Sequence, residues 1–271
     1  MKKILLTLVI LCFSMGKLFA ADDEWTGLQK AIAGTQRSAA HKARDQYRHP
    51  LETLQFFEVK NNLSVLELWP GAEGWYTEIL APYLKNQGSL TVANFTPDPK
   101  VPYYQKNAEA FKVKLLADPK LYGKVKQTVL QPPEFLEIAP EASMDRVLTF
   151  RNVHNWMHSN QALAVFKAIY KALKPGGILG VVDHRSSMQM PPDPAAESGY
   201  VSEDEVIALA MKAGFEFIAK SEVNANPKDT KNYPHGVWIL PPALRLGKQD
   251  REKYLAIGES DRMTLKFVKL K

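Results

Sequence analysis

Cysteine is almost absent from this 271-residue chain, whose single cysteine is Cys12. One cysteine forms neither an internal disulfide nor a metal site built from several thiolates. We expect Cys12 to be removed with an N-terminal signal, which leaves the mature protein without a cysteine nucleophile. A cysteine-free protein suits an oxidising compartment.

Long basic runs are also missing. The formal net charge is +6, but no run of consecutive basic residues is longer than two. This small and scattered excess excludes nucleic acid as an obligatory partner. The N-terminal apolar stretch, residues 4–13, is shorter than the roughly 20 apolar residues that cross a bilayer.

The first 21 residues have the layout of a secretory signal. Lys2 and Lys3 precede the apolar stretch, and the small residues Ala20 and Ala21 precede an acidic segment. We predict cleavage of residues 1–21, a periplasmic or secreted location, and no stable membrane insertion of the mature chain. An uncleaved membrane anchor is the alternative.

The remaining chain, residues 22–271, alternates apolar strands with helices and predicts a single α/β domain. Strand–helix units in series require right-handed crossovers and a mostly parallel sheet with helices on both faces. Seven strands are expected, at residues 64–68, 90–95, 125–130, 145–150, 178–183, 215–223 and 263–270.

Two segments lie outside this alternation. A helical extension, residues 22–60, is divided by Pro50, which favours an extended conformation for His49 and a meeting of two helices there. A long insertion, residues 224–261, separates the last two strands. Insertions of this length are commonly lids or binding segments.

A glycine-containing turn follows the first strand. Glu67 lies at the strand tip, and Pro70, Gly71 and Gly74 shape the turn before a helix that begins near Trp75. Ligands of open α/β sheets bind beyond the carboxyl ends of the strands, where glycines permit close approach and a helix start offers free amides. Glu67 could attract the amino group of a cationic ligand or orient the turn through backbone hydrogen bonds.

This turn resembles the first motif of the class I S-adenosylmethionine-dependent methyltransferases, and Lys-Pro-Gly-Gly before the fifth strand is also typical of them. The chain is most similar to a family of predicted exported bacterial methyltransferases, from RHPLETLQFF (48–57) onward. The similarity is carried by ELWPGAEGWYTEILAPYL (67–84), TFRNVHNW (149–156), VVDHR (181–185), NPKD (226–229) and GESDRMTLKFVK (258–269). It implies a Rossmann-like class I methyltransferase fold and S-adenosylmethionine as cofactor.

Some positions depart from the family pattern. Trp69 replaces the usual first glycine of the turn, and Glu73 stands where another glycine is common. Asn94 takes the place of the acidic residue that holds the ribose hydroxyls. An amide lacks the charge-assisted hydrogen bonds of a carboxylate, so we expect weaker cofactor binding than in a typical relative.

Polar and aromatic residues follow the fourth strand directly. His154 suits a general base because imidazole titrates near neutrality, although it could instead cap the next helix. Asn152 and Asn155 could hold substrate, and Arg151 could bind an acidic group. Trp156 could cover the sulfonium by a cation–π contact.

The fifth strand ends in Asp183, His184 and Arg185, which should face the same crevice. Adjacent strand residues point to opposite sides, so a pair of Asp183 with His184 is disfavoured. His184 more easily meets Glu259 or His154 if the insertion folds over. For Glu259 we favour bracing of the sheet edge by ion pairs.

These considerations give two sets of candidate residues. The candidate catalytic residues are His154, His184 and Asn155. The candidate cofactor-binding residues are Glu67, Pro70, Gly71, Gly74, Asn94, Arg151 and Asn152. We predict no metal site, because the His154–His158 pair lacks the glutamate that follows the first histidine in zinc hydrolases.

The leading functional hypothesis is a methyltransferase that uses S-adenosylmethionine and acts on a small molecule. An exported, non-catalytic protein that keeps the crevice for another small ligand is the alternative. A metal-dependent hydrolase is a third possibility. The acceptor and the oligomeric state are left open.

Overall fold

A computed structural model describes residues 25–187, 189–191 and 193–270. The expected signal segment lies outside these ranges. Within them a single sheet is formed by β1 (Ser64–Leu68), β2 (Ser89–Asn94), β3 (Lys126–Val129), β4 (Met144–Phe150), β5 (Leu173–His184), β6 (Phe215–Ser221) and β7 (Arg262–Lys269). No helix in the described ranges has both the length and the apolar character needed to span a bilayer.

The strand order is β3-β2-β1-β4-β5-β7-β6, and only β7 runs antiparallel to its neighbours. The order reverses between β1 and β4, because β2 and β3 lie on one side of β1 while β4 and β5 lie on the other. This arrangement confirms the predicted mostly parallel seven-stranded sheet. The reversal also marks the place where such sheets bind ligands.

The helices lie on both faces of the sheet. They are α1 (Thr26–Ala33), α2 (Ala39–Lys42), α3 (Asp45–Arg48), α4 (Pro50–Phe56), α5 (Thr77–Leu84), α6 (Pro102–Ala117), α7 (Pro119–Tyr122), α8 (Val153–His158), α9 (Ala162–Ala172), α10 (Glu203–Lys212) and α11 (Arg251–Ile257), with a 3-10 helix at Gly236–Ile239.

Alternating residues of the buried strands divide the core into two layers. In β1, Val65 belongs to the apolar cluster that contains Leu80 of α5, whereas Leu66 belongs to the cluster that contains Phe166 of α9. Strands that are buried on both faces read as continuous apolar runs, which is why β1 was recognisable in the sequence. The same alternation places Glu67 on the α5 side.

Two local expectations about the backbone were wrong. His49 is left-handed (φ 38°, ψ 57°) rather than extended, which lets α3 and α4 meet across a single residue. The fifth strand begins at Leu173 rather than at residue 178, because Leu173 already pairs with Met144. The chain between Leu173 and Ile178 loops out around Gly176, whose φ is 74°.

Candidate functional site

A cleft of about 500 Å³ opens at the carboxyl ends of β1 and β4. This volume lies within the roughly 300–1,000 Å³ typical of small-molecule sites. Most of the predicted site residues line it: Glu67, Pro70, Gly71, Arg151, Asn152, His154, Asn155 and His184. Gly74 and Asn94 are not among its lining residues. Its other walls include Arg48, Trp75, Tyr76, Phe95, Tyr104, Phe150 and Trp238.

The turn after β1 is built around two glycines with positive φ. At Gly71 (φ 73°) a side chain would meet nothing within 4 Å, so its backbone borders open space in the cleft. At Gly74 (φ 54°) an added Cβ would lie 2.8 Å from Phe111. Gly71 is therefore placed to approach a ligand, while Gly74 serves the packing of the turn against α6.

Trp69 stands at the position of the usual first glycine, and its side chain fills the neighbouring core. Its backbone is left-handed (φ 44°), and its indole N–H donates to the carbonyl of Leu130, 2.8 Å away beyond β3. The indole packs on Phe95 at 4.5 Å and on Trp156 at 5.7 Å between ring centroids. Trp156 is fully buried in this core, so the expectation that it covers a sulfonium in the cleft was wrong.

Glu67 is a buried carboxylate without a cationic partner. It is 2% exposed, and the Thr77 hydroxyl donates to it at 2.6 Å. No lysine, arginine or histidine of the described ranges forms an ion pair with it. Burial raises the pKa of Glu67 to about 7, although the Thr77 hydrogen bond and the charge of Lys114 oppose this shift. A cation in the cleft would stabilise its ionised form.

Asn94 occupies the last position of β2 and is buried. Its side-chain oxygen accepts no hydrogen bond from any residue that the structure describes. Phe95, the next residue, does line the cleft and stacks on Tyr104 with ring centroids 4.5 Å apart. The wall beyond β2 is thus aromatic rather than polar.

His154 is oriented by an aspartate that the sequence analysis did not pair with it. Its Nδ1 lies 2.9 Å from a carboxylate oxygen of Asp183, which also accepts from the His154 backbone N–H at 3.2 Å. Phe150 of β4 pairs with Val182 of β5, so the ends of these strands are adjacent. Asp183 directly follows Val182, and His154 lies in the first turn of α8, four residues after Phe150, so the two side chains meet at the same ends of the strands.

His184 lies beside His154, one of the two neighbours considered for it in the sequence analysis, with ring centroids 5.2 Å apart. The Nδ1 of His184 contacts the hydroxyl of Ser260, and Trp238 of the insertion packs against both histidines. Burial, followed by the charges of His154 and nearby arginines, holds the pKa of His184 well below its usual range. His184 is therefore uncharged at neutral pH.

The two asparagines differ in their surroundings. Asn152 is buried, and its amide donates to the carbonyl of Leu68 at 3.0 Å and to the hydroxyl of Thr149 at 3.2 Å. It thereby ties the ends of β1 and β4 together at the base of the cleft. Asn155 is exposed at the cleft mouth and is free to contact a ligand.

Three arginines and one carboxylate form a cluster next to the cleft. Glu259 accepts from Arg44 at 2.5 Å, from Arg48 at 3.2 Å, and from Arg262. Burial alone would raise the pKa of Glu259, but these arginines bring it far below its usual range. These ion pairs join the N-terminal extension to the start of β7, which is the bracing favoured for Glu259 in the sequence analysis. The sequence analysis did not identify Arg48 as a cleft residue.

Three potential metal ligands do come together, although no metal site was predicted. Ligand atoms of His154, Asp183 and His184 lie within 4.8 Å of one another, and all three residues are buried. Asp183 already accepts hydrogen bonds from His154 and from the His184 backbone N–H. The positive charges of Arg48 and Arg151 act on the same histidine and oppose a cation there.

Solved structures with a similar fold include methyltransferases. A SAM-dependent methyltransferase from Aquifex aeolicus is 15% identical, with a TM-score of 0.55 over 83% of this chain and 92% of that chain. Phosphoethanolamine N-methyltransferase 2 of Haemonchus contortus, in complex with S-adenosyl-L-methionine, is 15% identical, with a TM-score of 0.55 over 93% and 59% of the two chains. The cyclase SpnF is 16% identical, with a TM-score of 0.54 over 92% and 93%.

No protein-family model and no curated protein matches the sequence. At such identities the similarity establishes the fold, and one fold can host several chemistries. The chain therefore has the Rossmann-like fold of the class I S-adenosylmethionine-dependent methyltransferases.

Proposed function

We propose that the protein is an S-adenosylmethionine-dependent methyltransferase that acts on a small molecule. One observation carries the proposal: the uncompensated carboxylate of Glu67 lies beside the open backbone of Gly71, on the same cleft as His154. A buried carboxylate without a cation is costly to keep in a fold and is common at functional sites. A cationic ligand in the cleft would explain its retention.

The residues present fit S-adenosylmethionine best at its amino-acid end. Glu67 would attract the ammonium group, and the open turn at Gly71 would admit the chain that bears it. The stacked Phe95 and Tyr104 would face the adenine ring. Asn94 is buried outside the lining, so the polar ribose contact usual in the family has no counterpart there, which supports the expectation of weak binding.

The histidine pair would supply the proton chemistry. Bound S-adenosylmethionine supplies an activated methyl group for transfer to a nucleophile. Asp183 holds the Nδ1–H of His154 and leaves Nε2 as the nitrogen that can accept a proton from the acceptor. His184, kept neutral, can accept or donate a hydrogen bond beside it, and Trp238 limits the access of water.

The periplasmic or secreted location also remains a proposal. It rests on the signal-like layout of residues 1–21. Fractionation of the native cells, with mass measurement of the N-terminus, tests it. A processed chain in an extracytoplasmic fraction is expected, and a full-length chain confined to the cytoplasm would contradict it.

Titration calorimetry with S-adenosylmethionine and S-adenosylhomocysteine tests the proposed function. We expect both to bind the wild type and to lose binding in Gly71→Val. Gly176→Val is the matched control, because Gly176 has nearly the same φ (74°) and equally open surroundings but lies in the irregular first part of β5, outside the cleft lining. Its binding should match the wild type.

Two results would contradict the proposal. One is the absence of binding by the wild type at millimolar concentrations, and the other is an equal loss in both glycine variants. Binding of the nucleotides without transfer of a labelled methyl group to any acceptor in a metabolite extract would instead favour the non-catalytic binding protein.

A further inference from the structure

Two arginine side chains line the histidine end of the cleft without full partners. Arg48 is 4% exposed, and its Nε donates to Glu259, but its Nη2 has no hydrogen-bond partner. The guanidinium of Arg151, at the tip of β4, forms no hydrogen bond or ion pair with any residue that the structure describes. The buried Nη2 of Arg48 is costly unless a ligand satisfies it, and the half-buried guanidinium of Arg151 lines the same cleft.

The positive charge around these side chains exceeds the negative charge. Glu259 is shared among Arg44, Arg48 and Arg262, while Arg151 has no carboxylate of its own. Burial, followed by the charge of Arg151, places the pKa of Arg48 well below its usual range. An anion between the two guanidinium groups would relieve both their desolvation and their mutual repulsion.

Aromatic rings hold this end of the cleft in shape. The guanidinium of Arg48 lies 4.6 Å from the ring centroid of Trp75. Tyr76 stacks on Phe150 with ring centroids 3.5 Å apart. The stacked guanidinium of Arg48 is preorganised, so it can bind a carboxylate or a phosphate at a low entropic cost.

We propose that Arg48 and Arg151 bind an oxyanion of the methyl acceptor, a carboxylate or a phosphate, beside His154. The assignment of this anion to the acceptor rests on the proposed function. Both arginines share the cleft with His154 and His184, so an acceptor anchored here would present its remaining atoms to the histidine pair. The other possible source of the oxyanion is the carboxylate of S-adenosylmethionine itself, and the experiment separates the two.

The test uses benzoate and inorganic phosphate as probes, with benzamide as the uncharged counterpart of benzoate. Each is titrated into the full-length protein by calorimetry, first alone and then after saturation with S-adenosylhomocysteine. The test variant is Arg151→Met, because Arg151 has no ion pair whose loss would unfold the chain. Arg251→Met, at an exposed position of α11, removes the same charge outside the cleft lining.

We expect at least one oxyanion to bind with and without S-adenosylhomocysteine, and more tightly than benzamide. Arg151→Met should weaken that binding about tenfold or more, as expected for a charge-assisted hydrogen bond, and Arg251→Met should leave it unchanged. The absence of oxyanion binding, or equal binding by Arg151→Met, would overturn the proposal. Competition between the probe and S-adenosylhomocysteine would also overturn it, since the arginines would then hold the cofactor carboxylate.

The two proposals fail separately. If S-adenosylhomocysteine does not bind while the oxyanions do, the methyltransferase function fails and the arginine site stands as an anion site. If the nucleotide binds and the oxyanions do not, the arginine site fails and the methyltransferase function stands.

Discussion

Replacement of Glu67 by glutamine tests whether this carboxylate is kept for a ligand at the expense of stability. The folded protein raises the pKa of Glu67 from 4.5 to about 7 by burial. Between these two pH values the folded chain keeps a proton that the unfolded chain has released. Stability therefore falls as the pH rises through this window, and the full cost remains above it.

The magnitude follows from the size of the shift. A difference of about 2.5 pKa units at 1.36 kcal/mol per unit is a cost of about 3 kcal/mol at pH 8 and about 1 kcal/mol at pH 5. Glutamine has no charge to desolvate, and its side-chain oxygen can still accept from Thr77. Glu67→Gln should therefore stabilise the chain by these amounts at the two pH values.

Urea denaturation at pH 5 and pH 8 measures both values. Glu78→Gln is the matched control, because Glu78 is also buried but pairs with His41 at 2.8 Å and with Lys114. Burial would raise the pKa of Glu78, yet its hydrogen bonds to His41 and Lys114 lower it. Its contribution to stability is present above pH 4.5 and is lost below the lowered pKa, so Glu78→Gln should destabilise the chain at pH 8.

The reasoning is refuted if Glu67→Gln destabilises the chain at pH 8, or if its effect does not depend on pH. Either result would mean that the Thr77 hydroxyl and the charge of Lys114 already stabilise the ionised form of Glu67 in the folded protein. Its burial would then need no ligand.

Two further substitutions test the surroundings of the cleft. Glu259→Gln should lower the free energy of unfolding by about 3–5 kcal/mol at neutral pH in urea denaturation, because it leaves the buried Arg48 and Arg262 and the half-buried Arg44 without their carboxylate. An effect within error of zero would contradict the bracing role. The lowered pKa of Glu259 makes its contribution present above pH 4.5 and lost in acid, so the difference should shrink there. Trp69→Gly should lower the free energy of unfolding by about 3 kcal/mol, because a buried indole is lost. This loss should outweigh the gain from placing a glycine at a left-handed backbone position. An unchanged free energy of unfolding would place the indole outside the core.

Much of the fold could be predicted because its signals are local. The runs at Ser64–Leu68 and Met144–Phe150 are apolar and bounded by turns, which is typical of buried parallel strands. The details that were wrong depend on tertiary contacts. The pairing of Leu173 with Met144 begins β5 earlier than the apolar run does, and no local pattern marks it.

The candidate site was predictable only in part. Glu67, Gly71 and His154 could be found because they follow strands and belong to a recognisable pattern. The contact of His154 with Asp183 requires the strand order, which places β5 next to β4. Arg48 enters the cleft from the N-terminal extension, far away in sequence, so composition and periodicity carry no sign of it.

The central claim is that ionised Glu67 binds the cationic part of S-adenosylmethionine. It is tested most directly by calorimetric titration of S-adenosylmethionine at pH 6 and pH 7, below the pKa of an ordinary α-amino group. With a pKa of about 7, the ionised fraction of Glu67 rises about fivefold between pH 6 and pH 7. The affinity of the wild type for S-adenosylmethionine should rise by the same factor. The affinity of Glu67→Gln should be weak at both pH values. Equal affinities of the wild type at the two pH values, or tight binding by Glu67→Gln, would contradict the account.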